Sequence, residues 1–202
     1  MKSWIAAFIF IGLSCCEAYS QNKNKFGLDF GCGCGRNVIN LIERFERMDG
    51  VDISSELIAT CKQNLSQRGY GEDRTIFYTY DGISLSVIPS NLYDFVMSTI
   101  VLQHICVYEI RYNYFKEFYR VLKPNGLLSF QMGYGAGHPC TKNYYENFYV
   151  AKTTNTGCDV AVSNPEQIIK DLDEIGFKNI TYFIRPSFSD VHNQWIYVKA
   201  IK

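Results

Sequence analysis

The sequence predicts an α/β fold in which a mostly parallel sheet lies between two layers of helices. Three observations predict it. Short apolar or β-branched runs alternate with amphipathic stretches of helical period from residue 26 to residue 132. A glycine loop, Gly31-Cys32-Gly33-Cys34-Gly35, joins the first strand to the first helix. Two β-rich segments, about 180–184 and 195–201, close the chain as a hairpin-like pair, which makes seven strands in all.

The first strand is Phe26-Gly27-Leu28-Asp29-Phe30, and Val38, Leu41, Ile42 and Phe45 give the following helix its apolar face. A second strand ends at Asp52. Ser54 is placed to cap the next helix, which buries Leu57, Ile58, Cys61 and Leu65. After a polar turn over 67–73, residues 75–79 form a third strand and 92–98 a fourth. Apolar residues at 107, 110, 114, 118, 121 and 122 mark a helix that stops at Lys123-Pro124-Asn125-Gly126, before a fifth strand over 127–132. Residues 133–164 break the pattern with Gly133, Gly135, Gly137 and a crowd of aromatics, and read as an excursion over the open end of the sheet. Pro165 then opens a helix behind the capping pair Ser163-Asn164. Ile168, Leu172 and Ile175 line its inner face and Gly176 ends it.

At 202 residues, 47% hydrophobic and 20% charged, the chain is a globular protein with a substantial core, read as one domain over 26–202 behind an N-terminal segment of 1–25. Its formal net charge is zero and it has no basic run, which argues against a nucleic-acid partner. The eight cysteines form no C-x-x-C and no zinc-ligand spacing with histidine, so no metal site is expected. Buried free thiols account for them and favour a reducing, cytoplasmic location. The N-terminal segment carries an apolar run over 4–13 after Lys2. Two readings stand for it: a helix capping the ligand cleft, or a secretory signal or membrane anchor, for which the run is short.

The glycine spacing selects the ligand. A dinucleotide fingerprint G-x-G-x-x-G would need a third glycine at 36 or 38, where Arg36 and Val38 stand. No Gly-Lys-Ser/Thr follows the loop, so it is not a phosphate-binding P-loop. Asp-x-Gly-x-Gly-x-Gly remains, and a carboxylate at Asp29 suits a cationic ligand better than a pyrophosphate. Here the chain resembles the class I S-adenosylmethionine-dependent methyltransferases. The resemblance runs over residues 26–202 through four signatures in order: Leu28-Asp29-Phe30-Gly31-Cys32-Gly33-Cys34-Gly35, Gly50-Val51-Asp52-Ile53-Ser54, Tyr80-Asp81-Gly82, and Val121-Leu122-Lys123-Pro124-Asn125-Gly126. The family usually has two glycines where Asn125-Gly126 stands.

The resemblance implies a three-layer αβα Rossmann-like fold, a seven-stranded, mostly parallel sheet with an antiparallel C-terminal strand, and S-adenosyl-L-methionine as cofactor. It places Gly31, Cys32, Gly33 and Gly35 against the amino-acid part of the cofactor, with Asp29 toward its ammonium and Arg36 within reach of its carboxylate. Asp52 would accept from the ribose hydroxyls, Ile53 would face the adenine, and Asp81 with Gly82 would meet the adenine edge. Ser98, ending the fourth strand, completes the set. A general base is needed where the acceptor arrives protonated, and His104, His138 and Tyr134 are its candidates. A backbone-bonded, structural role is the alternative for His104. The aromatics at 144–149 either stack on a substrate or form a lid packed on itself, and Asp94 reads as structural. No Asn-Pro-Pro-Tyr or Asp-Pro-Pro-Tyr follows the fourth strand, which argues against methylation of base amino groups and leaves a small-molecule acceptor. A cofactor-binding protein without turnover is the rival function.

Overall fold

The computed structural model describes residues 24–135, 141–147, 159–187 and 192–202. Strands are β1 (Phe26–Phe30), β2 (Arg47–Asp52), β3 (Phe77–Thr79), β4 (Tyr93–Ser98), β5 (Leu122–Tyr134), β6 (Lys142–Asn143), β7 (Val160–Val162), β8 (Lys178–Pro186) and β9 (Gln194–Ile201). Helices are α1 (Arg36–Leu41), α2 (Ser55–Ser66), α3 (Tyr108–Val121) and α4 (Pro165–Ile175). The main sheet runs β3-β2-β1-β4-β5-β9-β8, parallel from β3 to β5, with β9 antiparallel to both β5 and β8. The seven-stranded sheet with an antiparallel C-terminal strand is therefore present.

Two short strands add to it. Gly133 and Tyr134 at the end of β5 pair with β9 on one edge and with Ala161 and Val162 of β7 on the other, and β6 continues from β7. Since β4 leaves β5 at the Ser98–Phe130 pair, β7 occupies the β4 side of β5 just past the end of β4. The excursion over 133–164 is thus partly sheet, which its broken pattern did not announce. Two and three residues are too few to show a period of two, so this pairing left no pattern to read.

Side chains alternate across the sheet as the pleat requires. Phe95 and Met97 of β4 face α1 and α2, packing with Val38, Leu41, Ile42, Phe45, Ile58, Cys61 and Leu65. Val96 faces the opposite layer, where α3 and α4 bring Tyr114, Phe115, Phe118, Ile168 and Leu172. Both helix layers were expected from the periodicity. The α4 boundary is set by a capping box: Asn164 accepts from the Glu166 N–H and Gln167 reaches back, while Gly176 closes the helix at φ 113°. Asp94 is structural, accepting from the Phe26 N–H at 2.9 Å and from Lys123 at 2.8 Å. Asn125 takes φ 63°, a left-handed turn that asparagine tolerates better than most side chains, which explains how it stands in for the usual glycine.

Candidate active site

The carboxyl ends of β1, β2 and β4 lie side by side, Asp29 opposite Gly50 and Met97, and Phe30 opposite Val51 and Ser98. In an open parallel sheet this is where ligands bind. The glycine loop folds down onto β2: the N–H groups of Gly31 and Cys32 both donate to the Val51 carbonyl, at 2.8 and 3.1 Å. Asp52 ties the loop further, one oxygen accepting from the Gly33 N–H at 2.9 Å and the other from the Ser54 N–H at 3.0 Å. Each of those oxygens has a second lone pair for a ligand hydroxyl.

The three loop glycines have different reasons to be glycine. A Cβ at Gly31 would strike Val101 at 2.3 Å, and one at Gly35 would strike the Cys61 sulfur at 2.2 Å. Gly31 and Gly35 therefore serve packing. At Gly33, with φ +53°, a Cβ would meet nothing within 4 Å, so bare main chain there opens onto free space.

Asp29 stands near the end of β1, two residues before the loop begins at Gly31. It is buried, and burial pushes its carboxyl up to about 7, with Asn37 pulling weakly the other way through a 3.5 Å contact. Its Oδ2, like the Ser98 hydroxyl, is a buried oxygen that no described residue satisfies. Buried polar atoms are rarely left so without a ligand or water. Ile53, 61% exposed, lies beside Gly82, where a Cβ would come within 2.9 Å of its Cδ1. Asp81 precedes Gly82 in the chain. Asp81 accepts from the Ile83 and Ser84 N–H groups, both at 2.8 Å, and these bonds hold its carboxyl below the usual range. Its Oδ2 accepts from the Ser84 hydroxyl at 3.4 Å. Arg36 opens α1 and is exposed.

Across the cleft, the chain after β4 is bent sharply. Ile100 has φ 59°, unusual for a β-branched residue, and Val101 then packs on Gly31. A 3-10 turn, Leu102–His104, follows. His104 is more than half exposed, and its Nδ1 lies 2.6 Å from Asp159. The partner is a carboxylate, not the backbone group of the alternative reading. The other Asp159 oxygen lies 2.9 Å from Nε2 of His192, which is buried. Sequence reasoning passed over both Asp159 and His192. They stand 55 and 33 residues from the groups they meet, and only the paired excursion brings them together. Tyr134 ends β5 half-buried against the apolar core, and His138 lies outside the described residues. Among the described residues no group of three or more His, Cys, Asp or Glu side chains could hold a metal ion.

Of the aromatics at 144–149, Tyr144 is buried and donates to Asp171 at 2.7 Å, so it is part of the core and does not stack on a substrate. Tyr145 is 43% exposed and packs edge-on against Tyr144 and Tyr108. Phe148 and Tyr149 lie outside the described residues.

Known proteins share this architecture. Residues 28–130 match the family model described as a methyltransferase domain, about half of the chain, and the chain belongs to that family. A relative from Neonectria, the S-adenosyl-L-methionine-dependent Diels-Alderase iliD, is 22% identical over 183 residues, 84% of this chain and 65% of its own length. The chain thus spans just under two thirds of that relative. A methyltransferase structure from Methanosarcina mazei superposes with a TM-score of 0.69 at 19% identity, covering 92% of this chain and 96% of its own. Phosphoethanolamine N-methyltransferase 2 of Haemonchus contortus, solved with phosphomonomethylethanolamine and S-adenosylhomocysteine, gives 0.69 at 20% identity over 94% of this chain and 52% of its own. The fold is that of the class I methyltransferases.

Proposed function

We propose that this chain moves a methyl group from S-adenosylmethionine to a small-molecule acceptor, with His104 as general base. One observation carries the reading: Asp29, just ahead of the loop whose main chain at Gly33 opens onto free space, has a buried oxygen that no described residue satisfies. A cation satisfies that oxygen, and the ammonium of the cofactor's amino-acid end is one. Asp52 would hold the ribose, Ile53, Asp81 and Gly82 the adenine, and Gly31, Cys32, Gly33, Gly35, Arg36 and Ser98 the amino-acid end. Bound there, the cofactor supplies a sulfonium whose methyl group is already electrophilic.

The chain's own contribution is alignment, exclusion of water and proton removal. Holding an acceptor in line is worth up to about 7–11 kcal/mol in well-oriented systems. His104 stands in the 3-10 turn after β4 and is more than half exposed, so it can take up an acceptor proton and pass it to solvent. Zero net charge supports a small acceptor over nucleic acid. Two buried free thiols, Cys32 and Cys61, support a reducing, cytoplasmic setting, and no described helix is long and apolar enough to cross a membrane.

Calorimetry with S-adenosylhomocysteine tests the cofactor site. Wild type binds, and Gly33→Val, whose side chain fills the open space, loses about a hundredfold or more in affinity while still melting cooperatively. Equal affinity in the two proteins overturns the site. Transfer of labelled methyl to a panel of small amines, alcohols and phenols, phosphomonomethylethanolamine among them, tests turnover. The relative named as a Diels-Alderase favours a second reading, cofactor binding without methyl transfer. Binding with no labelled product across the panel supports that one.

A further inference from the structure

We infer that Asp159 is a positioning residue that fixes the tautomer and the orientation of His104, and that His192 holds Asp159 in that role. This rests on His104 being the base proposed above.

The three side chains form a line from surface to core. His104 is more than half exposed, Asp159 is buried, and His192 is fully buried. One carboxylate oxygen serves each ring, Oδ1 to His104 at 2.6 Å and Oδ2 to His192 at 2.9 Å. A carboxylate only accepts, so both facing nitrogens carry protons. For His104 that means Nδ1–H, and the lone pair of neutral imidazole is then on Nε2. A base needs its lone pair on the outward nitrogen, and Asp159 puts it there. A serine-hydrolase Asp sets a histidine tautomer by the same physics.

The far end is wedged. The His192 ring fills the place a side chain at Gly133 would take, its Cε1 only 2.2 Å from where a Cβ would stand, and it packs on Trp195 with centroids 5.0 Å apart. β5 and β9 thus grip His192, and His192 grips Asp159. The Asp159 backbone is held as well, its carbonyl accepting from the Lys142 N–H at 2.8 Å. Burial pushes the Asp159 carboxyl up, but the hydrogen bonds from His104 and His192 outweigh it and hold the group well below the usual range, so it stays charged.

The proton balance fixes the acceptor class. The acceptor's proton goes to Nε2 of His104, and the acceptor's lone pair, freed by that loss where the acceptor is an ammonium, forms the new bond to the methyl carbon. The carbon–sulfur bond breaks with its electrons to sulfur. The imidazolium, paired with Asp159, then releases the proton to solvent. Such a base helps only an acceptor that arrives protonated: an alcohol, a phenol or an ammonium group.

The chain has three histidines, so a long-range nitrogen–proton NMR spectrum of the imidazoles is simple to assign, with His104→Gln locating His104. The spectrum is taken where the rings are neutral. Wild type is expected to show His104 as the Nδ1–H tautomer. Asp159→Ala is expected to return it to the Nε2–H form that free imidazole side chains prefer, with S-adenosylhomocysteine affinity unchanged. His192→Phe keeps the ring volume, removes one donor to Asp159, and should turn the single His104 signal into a mixture of tautomers. Finding His104 as Nε2–H in wild type overturns the inference, whatever the variants do. So does an unchanged tautomer in Asp159→Ala, and an unchanged single signal in His192→Phe removes His192 from it. A wild type that fails to bind S-adenosylhomocysteine sinks the function proposed above, and is read separately from the tautomer.

Discussion

Asp29 shows at the scale of one side chain how a buried carboxylate opposes stability. A carboxyl raised to about 7 by burial keeps a proton in the folded state that the unfolded chain releases near its ordinary value of 3.8. Between those values the folded state binds more protons, so stability falls as pH rises through the window. The contribution is present below the ordinary carboxylate range and gone above about pH 7. Asp29→Asn is therefore expected to melt higher than wild type above neutral pH and to lose that part of the pH dependence, read from thermal midpoints across the range. Its affinity for S-adenosylmethionine should drop and lose its dependence on pH. In wild type affinity should rise through about pH 7, because the cofactor's ammonium favours the charged carboxylate. A wild-type affinity flat across neutral pH would remove Asp29 from the site.

Among the elements, the turn after β4 and the segment at β6 are held by one buried cation. Arg111 of α3 is fully buried and donates to the carbonyls of Ile105 and Tyr144. Its guanidinium lies 5.3 Å from the centre of the Tyr144 ring, and Asp171 of α4 accepts from both Tyr108 and Tyr144. Arg111→Met keeps most of the packing but leaves two carbonyls without their donor, each worth about 1–3 kcal/mol. The arginine's own desolvation is relieved at the same time. A net loss of about 1–3 kcal/mol in urea unfolding is expected. A variant as stable as wild type would mean those carbonyls find other donors. At this scale the strand and helix boundaries were largely legible, because α3 and α4 repeat their apolar residues at helical spacing over 14 and 11 residues. β5 was read short: it runs from Leu122 to Tyr134, through the Lys123-Pro124-Asn125-Gly126 bend where its register with β4 shifts.

For the whole molecule, the closing hairpin decides whether the sheet has a sealed edge. β9 pairs with β5 from Leu127 to Tyr134 and carries His192 just before its first residue. A chain ending at Gly176 would bare that edge of β5 and expose Phe130 and Met132, which are buried in the intact protein. It is expected to lose cooperative melting and to aggregate, seen by circular dichroism and size-exclusion chromatography. A monomeric, cooperatively melting fragment would show that β8 and β9 are dispensable.

The sequence alone determined the order of the helices and of the seven strands of the main sheet, and the glycine loop. It also determined which carboxylates stand at the ends of β1 and β2, because each rests on contacts within a few residues and leaves a period or a spacing behind. It did not distinguish Gly33, which opens onto free space, from Gly31 and Gly35, which make room for Val101 and Cys61. Nor did it show that Tyr144 turns inward, or that Asp159 stands between His104 and His192. Those depend on what the folded sheet brings against each residue from far along the chain, and contacts between distant residues leave no local pattern to read.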